Sequence, residues 1–232
     1  MKSQTVSSFS DFIHVVETLS THSELMLFRG QCKKGNLLPS IARENPNVDS
    51  ADVEKEMLEE LKRMGSSILP PNDLNDWELL VVAQHFGMKT RLLDWTSNPL
   101  AALFFACNDL AKDDVFVYAL DADQFLNESQ NDPFGFGKTQ VFRPKLNNPR
   151  IIAQHGWFTA HKYSKKTSEF VPLEKNREIK KSVQEIKIPK EARVNLLKSL
   201  DRHGVSSRTL FPDLEGLCKY LNWKTKYRTS NC

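Results

Sequence analysis

Only four cysteines occur in the 232 residues: Cys32, Cys107, Cys218 and Cys232. They are widely spread, form no CxxC and have no histidine pair beside them, which argues against a zinc site and a disulfide framework. Reduced thiols in a cytosolic protein are expected, with no bound metal. No apolar run is long enough to cross a membrane and no signal peptide is recognised, so a cytoplasmic location without membrane contact is expected. Charge of neither sign dominates. The 32 Lys and Arg against 29 Asp and Glu leave +3, too mild to argue for nucleic acid by itself. No repeat is visible, and no HExxH, GxSxG or metal-spaced His or Cys cluster occurs. What is present is 40% hydrophobic and 26% charged, the balance of a globular protein with a sizeable core. One domain over 1–232 is expected, with a helix over 8–20 as an added terminal element.

The stretch 84–108, QHFGMKTRLLDWTSNPLAALFFACN, organises the rest. After the helix-stopping Gly87, residues 90–95 are extended in character, a Thr followed by apolar groups. Asn98-Pro99 then reads as a helix start, with Asn accepting from free backbone N–H groups and Pro pre-set for the first turn. Residues 100–107 carry almost no polar group, and a helix apolar all round is buried. Its start, beside Thr96 and Ser97, is expected to be rigid and to present N–H groups suited to a phosphate or carboxylate. The alternative is that Thr96, Ser97 and Asn98 only cap the helix.

Around this stretch, Phe9, Phe12, Ile13, Val16 and Leu19 form a helical stripe, with Ser8 and Asp11 in capping-box-like spacing. The run Leu25-Met26-Leu27-Phe28 suits a strand buried on both faces, with Arg29 where it leaves the core. Asp49 opens a helix expected to bury Val53, Met57, Leu61 and Met64 before Gly65. Pro70-Pro71 separates it from a helix over 73–86 that buries Trp77, Leu80 and Val81. Strands are expected over 115–120, 157–160 and 185–189. Residues 121–149 read as a long irregular loop, with Asn148-Pro149 starting one helical turn, and 162–182 as a solvated excursion. A helix over 190–203 is expected to bury Val194, Leu197 and Leu200. A last helix around Leu214, Leu217 and Leu221 precedes a basic, poorly structured tail. Strands and helices without regular βαβ alternation predict an α+β fold with a central mixed or antiparallel sheet.

Gly135-Phe136-Gly137-Lys138-Thr139 fails as a phosphate loop, because the Walker pattern needs a glycine where Asp132 stands. Glu185-x-Lys187, with Asp94 or Asp114 as a second acid, allows a metal-dependent nuclease. Exposed charge alternation along a half-buried strand explains it as well. Gln84-His85 and Gln154-His155 each lie near a glycine at an element end, where they are either structural or bring four polar side chains to one pocket. Arg29 is the strongest single candidate. It leaves a buried strand beside the permissive Gly30, where backbone and ligand can approach closely. A buried salt bridge with Asp94 is the alternative.

Phe28-Arg29-Gly30-Gln31, Leu37-Leu38-Pro39-Ser40-Ile41 and the long run Gln84-His85-x-Gly87-x-x-Thr90-Arg91-Leu92-Leu93-Asp94-Trp95-Thr96-x-Asn98-Pro99 resemble the FRG domain family, named for its Phe-Arg-Gly motif. Arg150-Ile151-x-x-Gln154-x-Gly156-x-Phe158 and Leu210-Phe211-Pro212-Asp213-Leu214-x-Gly216 fit the same pattern, so the resemblance spans roughly 25–221. The order of motifs also looks like that of the ADP-ribosyltransferase fold. There, a first strand ends in an Arg or His that holds NAD. A second leads through Ser or Thr into a helix under the nicotinamide ribose. A third region carries a residue, usually Glu, that orients the ribose or activates the acceptor.

That resemblance implies NAD as cofactor, held by Arg29, Gly30, Gln31, Thr96, Ser97 and Asn98, with Arg29, Asp94, Gln154 and His155 as the catalytic set. Gln154 departs from the pattern, since an amide is neither a base nor a full charge. His155 or Asp94 would then supply the ionisable group. Three functions stay open. One is an NAD-using transferase or glycohydrolase, which the family's bacterial and mobile-element settings imply to be a toxin or phage-defence effector with a protein or nucleic-acid acceptor. Another is a non-catalytic module for a ligand or a partner protein, the latter through the N-terminal helix. The metal-dependent nuclease is the third.

Overall fold

The computed structural model describes residues 1–70, 74–108, 113–126 and 132–229. Seven strands form one sheet: β1 (Ser3–Thr5), β2 (Met26–Gln31), β3 (Leu92–Thr96), β4 (Val115–Asp121), β5 (Gln140–Phe142), β6 (Gly156–Ala160) and β9 (Val183–Ile188). Their order is β1-β9-β4-β2-β3-β6-β5, with β7 (Tyr163–Ser164) and β8 (Glu169–Phe170) making a separate two-stranded ribbon. Among the described strands β1 and β9 pair parallel and the other pairs are antiparallel, with one isolated parallel bridge between Leu126 and Val141. The helices are α1 (Phe9–Ser20), α2 (Ala51–Met64), α3 (Asp76–His85), α4 (Pro99–Asn108), α5 (Pro149–Ala153), α6 (Arg193–Arg202), α7 (Ser207–Leu210) and α8 (Leu214–Thr229). The fold is α+β with a mixed sheet.

Strand alternation divides the core between the two faces of the sheet. Phe28, Val115, Val117, Ile186 and Ile188 meet α1, α4 and α6 on one face. Leu27, Leu93, Trp95, Phe116 and Tyr118 meet Leu37, Leu173 and Ile179 on the other. Helix α4 is buried nearly all round, as its composition demands. It lies so close to β2 that a Cβ on Gly30 would fall on the Ala102 carbonyl oxygen and 2.5 Å from the Ala106 nitrogen. Gly30 therefore serves helix packing. The approach to a ligand expected of it is taken up by α4.

Several expectations are corrected. Helix α2 buries Glu54 and Leu58, while Val53 and Met64 are exposed. The helix is turned by a tertiary ion pair: Glu54 accepts from the Arg91 backbone N–H at 2.6 Å and from Arg91 Nε at 2.8 Å. Helix α3 starts at Asp76 under a capping box made by Asn75 and Glu78, whereas Pro71 and Asp73 lie outside the described residues. The segment 162–182 is more than a solvated excursion, because Phe170, Leu173 and Ile179 are fully buried. The stretch 121–149 holds β5, with 127–131 outside the described residues. In α6, Leu196 takes the buried place expected of Val194. Helix α8 runs to Thr229, where an unstructured tail was expected, and leaves Leu214 and Leu221 exposed. The N-terminal segment is built into the fold: β1 extends the sheet, and Phe12 and Val16 of α1 are buried. Only the polar face of α1 is left for a partner.

Candidate functional site

The centre of the sheet is split. Strands β2 and β4 share six register pairs and β3 and β6 share five, yet β2 and β3 share only Phe28↔Thr96. Beyond that pair the Arg29 side chain bridges the gap. Its Nη1 donates to the Asp94 carbonyl at 2.8 Å, where a ladder bond would otherwise run, and lies 3.7 Å from the Asp94 carboxylate. Its Nε donates to Gln31 Oε1 at 3.3 Å, and Gln31 Nε2 donates in turn to the Lys33 and Gly35 carbonyls. The Arg29 side chain keeps 15% exposure. Burial lowers the Arg29 pKa, Asp94 opposes that shift, and Arg43 adds to it.

A cleft of about 410 Å³ opens at this split. Arg29, Gly30, Gln31, Asp94, Trp95 and Thr96 line it from the strands, with Phe105 of α4, Gln154 at the end of α5, and Phe211 completing the walls. Phe105 and Phe211 meet edge to face at 6.0 Å. The volume is that of a small-molecule site, with aromatic walls and a few convergent polar groups.

The polar groups divide into engaged and available ones. Thr96 Oγ1 donates to the Gln154 carbonyl at 2.6 Å and accepts from the Asn98 N–H. Asn98 Oδ1 accepts from the N–H groups of Leu100 and Ala101. The start of α4 is thus closed by its own cap, and the N–H groups expected to face an anion are taken. Ser97 donates its backbone N–H to the His155 carbonyl and, with Asn98, is not among the cleft-lining residues. Gln154 Nε2 donates to the Leu210 carbonyl at 3.0 Å, which leaves Oε1. Asp94 is 59% exposed, more than the partial burial expected of an acid in an apolar strand, and it pairs with Arg29. It lies between Leu92, buried beside α3, and Thr96 at the start of α4, in a gap that neither helix covers. Gln84 Nε2 braces its Oδ1 at 3.0 Å, and Thr90 donates to Gln84 Oε1.

Of the two Gln-His pairs, only Gln154 reaches the cleft. His155 is exposed at a turn with φ +49°, away from the cleft lining. Burial lowers the His85 pKa, with Arg150 lowering it further and Asp94 opposing. Glu185 is buried, contrary to an exposed alternation. It accepts from Ser3 Oγ at 2.9 Å and from the Tyr118 hydroxyl at 3.1 Å. Lys187 pairs with Asp114 at 2.7 Å. Among the described residues no three His, Cys, Asp or Glu side chains are grouped to hold a metal ion.

Sequence reasoning missed the aromatic walls and a buried polar chain behind Arg29. Phe211 had a signal in the Leu210-Phe211-Pro212-Asp213 motif; Phe105 had none inside an apolar helix. Trp95 Nε1 donates to Thr159 Oγ1 at 3.0 Å, and Thr159 Oγ1 contacts His161 Nε2 at 3.0 Å. His161 is 1% exposed, and its pKa is lowered to about 3 by burial first, then by Arg29 and Arg43. It is a neutral imidazole at pH 7.

The segment holding most of this cleft is recognisable. Residues 24–115 match the family model of the FRG domain. The matched segment supplies Arg29, Gln31, Asp94, Thr96 and Phe105, while Gln154 and Phe211 come from outside it. The match is shorter than the span over which the motifs resemble the family. No curated protein and no solved structure matches the chain significantly. No helix among the described residues is long and apolar enough to cross a membrane.

Proposed function

We propose that the FRG cleft binds NAD or a closely related nucleotide. The observation that carries this reading is the split at Phe28↔Thr96, where one cleft gathers Arg29, Asp94 and Gln154 between Phe105 and Phe211. The strands β2, β3 and β6 are also neighbours in the sheet, which suits the motif order of the ADP-ribosyltransferase resemblance. An Arg fork serves a pyrophosphate or carboxylate, the aromatic edges serve a planar ring, and Gln154 Oε1 serves a ribose hydroxyl. Asp94 is the carboxylate in the cleft, so it is the group that would activate an acceptor or stabilise developing positive charge. ADP-ribosyl transfer or NAD hydrolysis would then rest on Asp94 where the resemblance expects a Glu. An effector role as a toxin or in phage defence would follow from NAD consumption.

A binding module without chemistry is the second reading. It is favoured by the internal engagement of Thr96 and Gln154 Nε2, which leaves few groups free to act. Thermal unfolding with and without NAD tests the shared part. A ligand at a hundred times its Kd stabilises by about 2.7 kcal/mol, a rise of roughly 5–11 °C for a chain of this size. No shift at millimolar NAD would remove both NAD readings. Labelled NAD then separates them: released nicotinamide or transferred label supports the enzyme, and a shift without turnover supports the module.

A further inference from the structure

A second cleft, larger than the one at Arg29, lies away from it and has a different character. It encloses about 790 Å³ between the loop around Asn36, the loop 137–139 and the β7–β8 ribbon with the segment that follows it. Lys138 enters from one wall, Lys162, Lys165 and Lys166 from the ribbon, and Lys175 and Arg177 from the third. All six are exposed, and Glu169 and Glu178 are the carboxylates lining the same space. This one cleft therefore carries +4, more than the +3 of the whole chain. None of the six has a carboxylate within 4 Å among the described residues. Neighbouring Glu174 is engaged by the backbone N–H groups of Asn36 and Leu37.

The backbone presenting these charges is fixed. The Phe170 N–H donates to the Pro46 carbonyl at 2.7 Å, the Tyr163 hydroxyl donates to the Asn47 carbonyl at 3.0 Å, and the two rings meet edge to face. Lys165 and Lys166 then form the turn between β7 and β8. Holding several like charges around one concavity raises the local potential and attracts a polyanion.

We infer that this cleft binds the phosphodiester backbone of a short single strand of nucleic acid. Cations on three walls suit a backbone threaded between them. The enclosed volume is on the scale of a small-ligand site, which admits one strand and excludes the full width of a duplex. A flat anionic membrane would reach the ribbon turn alone. Phe170 is fully buried, and no exposed aromatic lines the cleft, so base stacking contributes nothing. Binding is consequently electrostatic, steeply salt-dependent and nearly indifferent to sequence.

Fluorescence anisotropy of the full chain with labelled ten-residue oligo(dT) and oligo(U) tests this. Four phosphate contacts predict a slope of about −3 in log K against log salt for a single strand. Lys165→Glu/Lys166→Glu should weaken binding at least tenfold with an unchanged circular-dichroism spectrum. Lys138→Ala and Arg177→Ala, on the other walls, should each weaken it several-fold. Lys219→Glu/Lys224→Glu on α8 should leave it unchanged. The inference is overturned by no binding at low salt, by equal binding of the ribbon variant, by loss on the α8 variant, or by equal displacement with oligoglutamate. It stands apart from the Arg29 cleft, and NAD binding should survive the ribbon substitutions.

Discussion

Glu54→Ala should be among the most damaging single substitutions in this chain, well beyond Asp94→Ala. Glu54 is fully buried, and its two oxygens serve two donors of one residue, the Arg91 backbone N–H and Nε. The Arg91 side chain keeps 4% exposure, lies 4.3 Å over the Phe134 ring, and offers Nη1 only a 3.3 Å bond to the Pro133 carbonyl. Nη2 has no hydrogen-bond partner among the described residues. Removing the carboxylate leaves an almost dry guanidinium without its counter-charge, a loss of about 3–5 kcal/mol. At roughly 2–4 °C per kcal/mol for this length, the melting temperature should fall by about 6–20 °C. Asp94, half in water, should cost about 1 kcal/mol or less. The double variant Glu54→Leu/Arg91→Met should recover much of the loss, since burial outweighs Arg91 in setting the Glu54 pKa, which is raised. Circular-dichroism melting of the four proteins decides the matter. A Glu54→Ala protein melting within about 2 °C of wild type, or no lower than Asp94→Ala, would refute the placement of α2 against Arg91.

Arg29→Ala should melt within a few degrees of wild type yet abolish the NAD-dependent shift, and Arg29→Lys should not restore it, because an ammonium lacks the planar fork; unchanged NAD affinity in Arg29→Ala would remove the ligand role. Gly30→Ala should lose about 3 kcal/mol or more by pushing α4 off β2, read as the drop in urea midpoint, and a neutral result would contradict the close helix contact. His161 binds its proton near pH 3 when folded and near 6.5 when unfolded, so stability falls as pH drops from about 6.5 towards 3, by up to about 1.4 kcal/mol per unit, and is flat above. Urea titrations at pH 7 and 4.5 should show a smaller acid loss in His161→Asn than in wild type; equal losses would mean His161 is not buried neutral. Burial pushes the Cys107 thiol up to about 12, so iodoacetamide at pH 8 should modify exposed Cys218 and spare Cys107 until the chain is unfolded, and mass spectrometry of the digested protein would reveal any early labelling of Cys107.

Local signals carried the centre of this fold well. The extended 90–95 run, the Asn98-Pro99 start and the wholly apolar 100–107 helix each depend on neighbours within a few residues; the helix is found in place, and the strand runs Leu92–Thr96, starting two residues later than expected. The buried face of α2 was not legible, because periodicity ranks Val53 and Met57 above a glutamate and cannot see Arg91, 37 residues away. The same blindness misplaced two acids, Glu54 beside Arg91 and Asp94 beside Arg29. Asp94 sits in an apolar strand and reads as buried, but the sheet is uncovered there. Of the site, Arg29, Asp94, Thr96 and Gln154 were legible as polar groups at element ends, and the cleft brings them together. Which of their atoms remain free was not legible, because caps and bridges between distant segments decide it.

That last point sets what the cleft can do. A bridge across a split sheet would ordinarily use up the residue that makes it. Arg29 gives only Nη1 and Nε to the bridge, and its Nη2 has no partner among the described residues. The bond to the Asp94 carbonyl also fixes the plane of the fork before any ligand arrives, which lowers the ordering cost of binding. Asp94 is held from the opposite side by Gln84, itself held by Thr90, so cation and carboxylate are oriented by separate supports and keep their separation when the cleft is empty. A ligand that presents an anion to Arg29 must therefore turn an electropositive carbon or a donor towards Asp94. Removing the Gln84 brace should consequently change turnover, if there is turnover, more than affinity: Gln84→Leu would loosen Asp94 while leaving the Arg29 fork attached to the β3 backbone. Equal weakening of NAD binding and of turnover in Gln84→Leu would show instead that the two supports act as one.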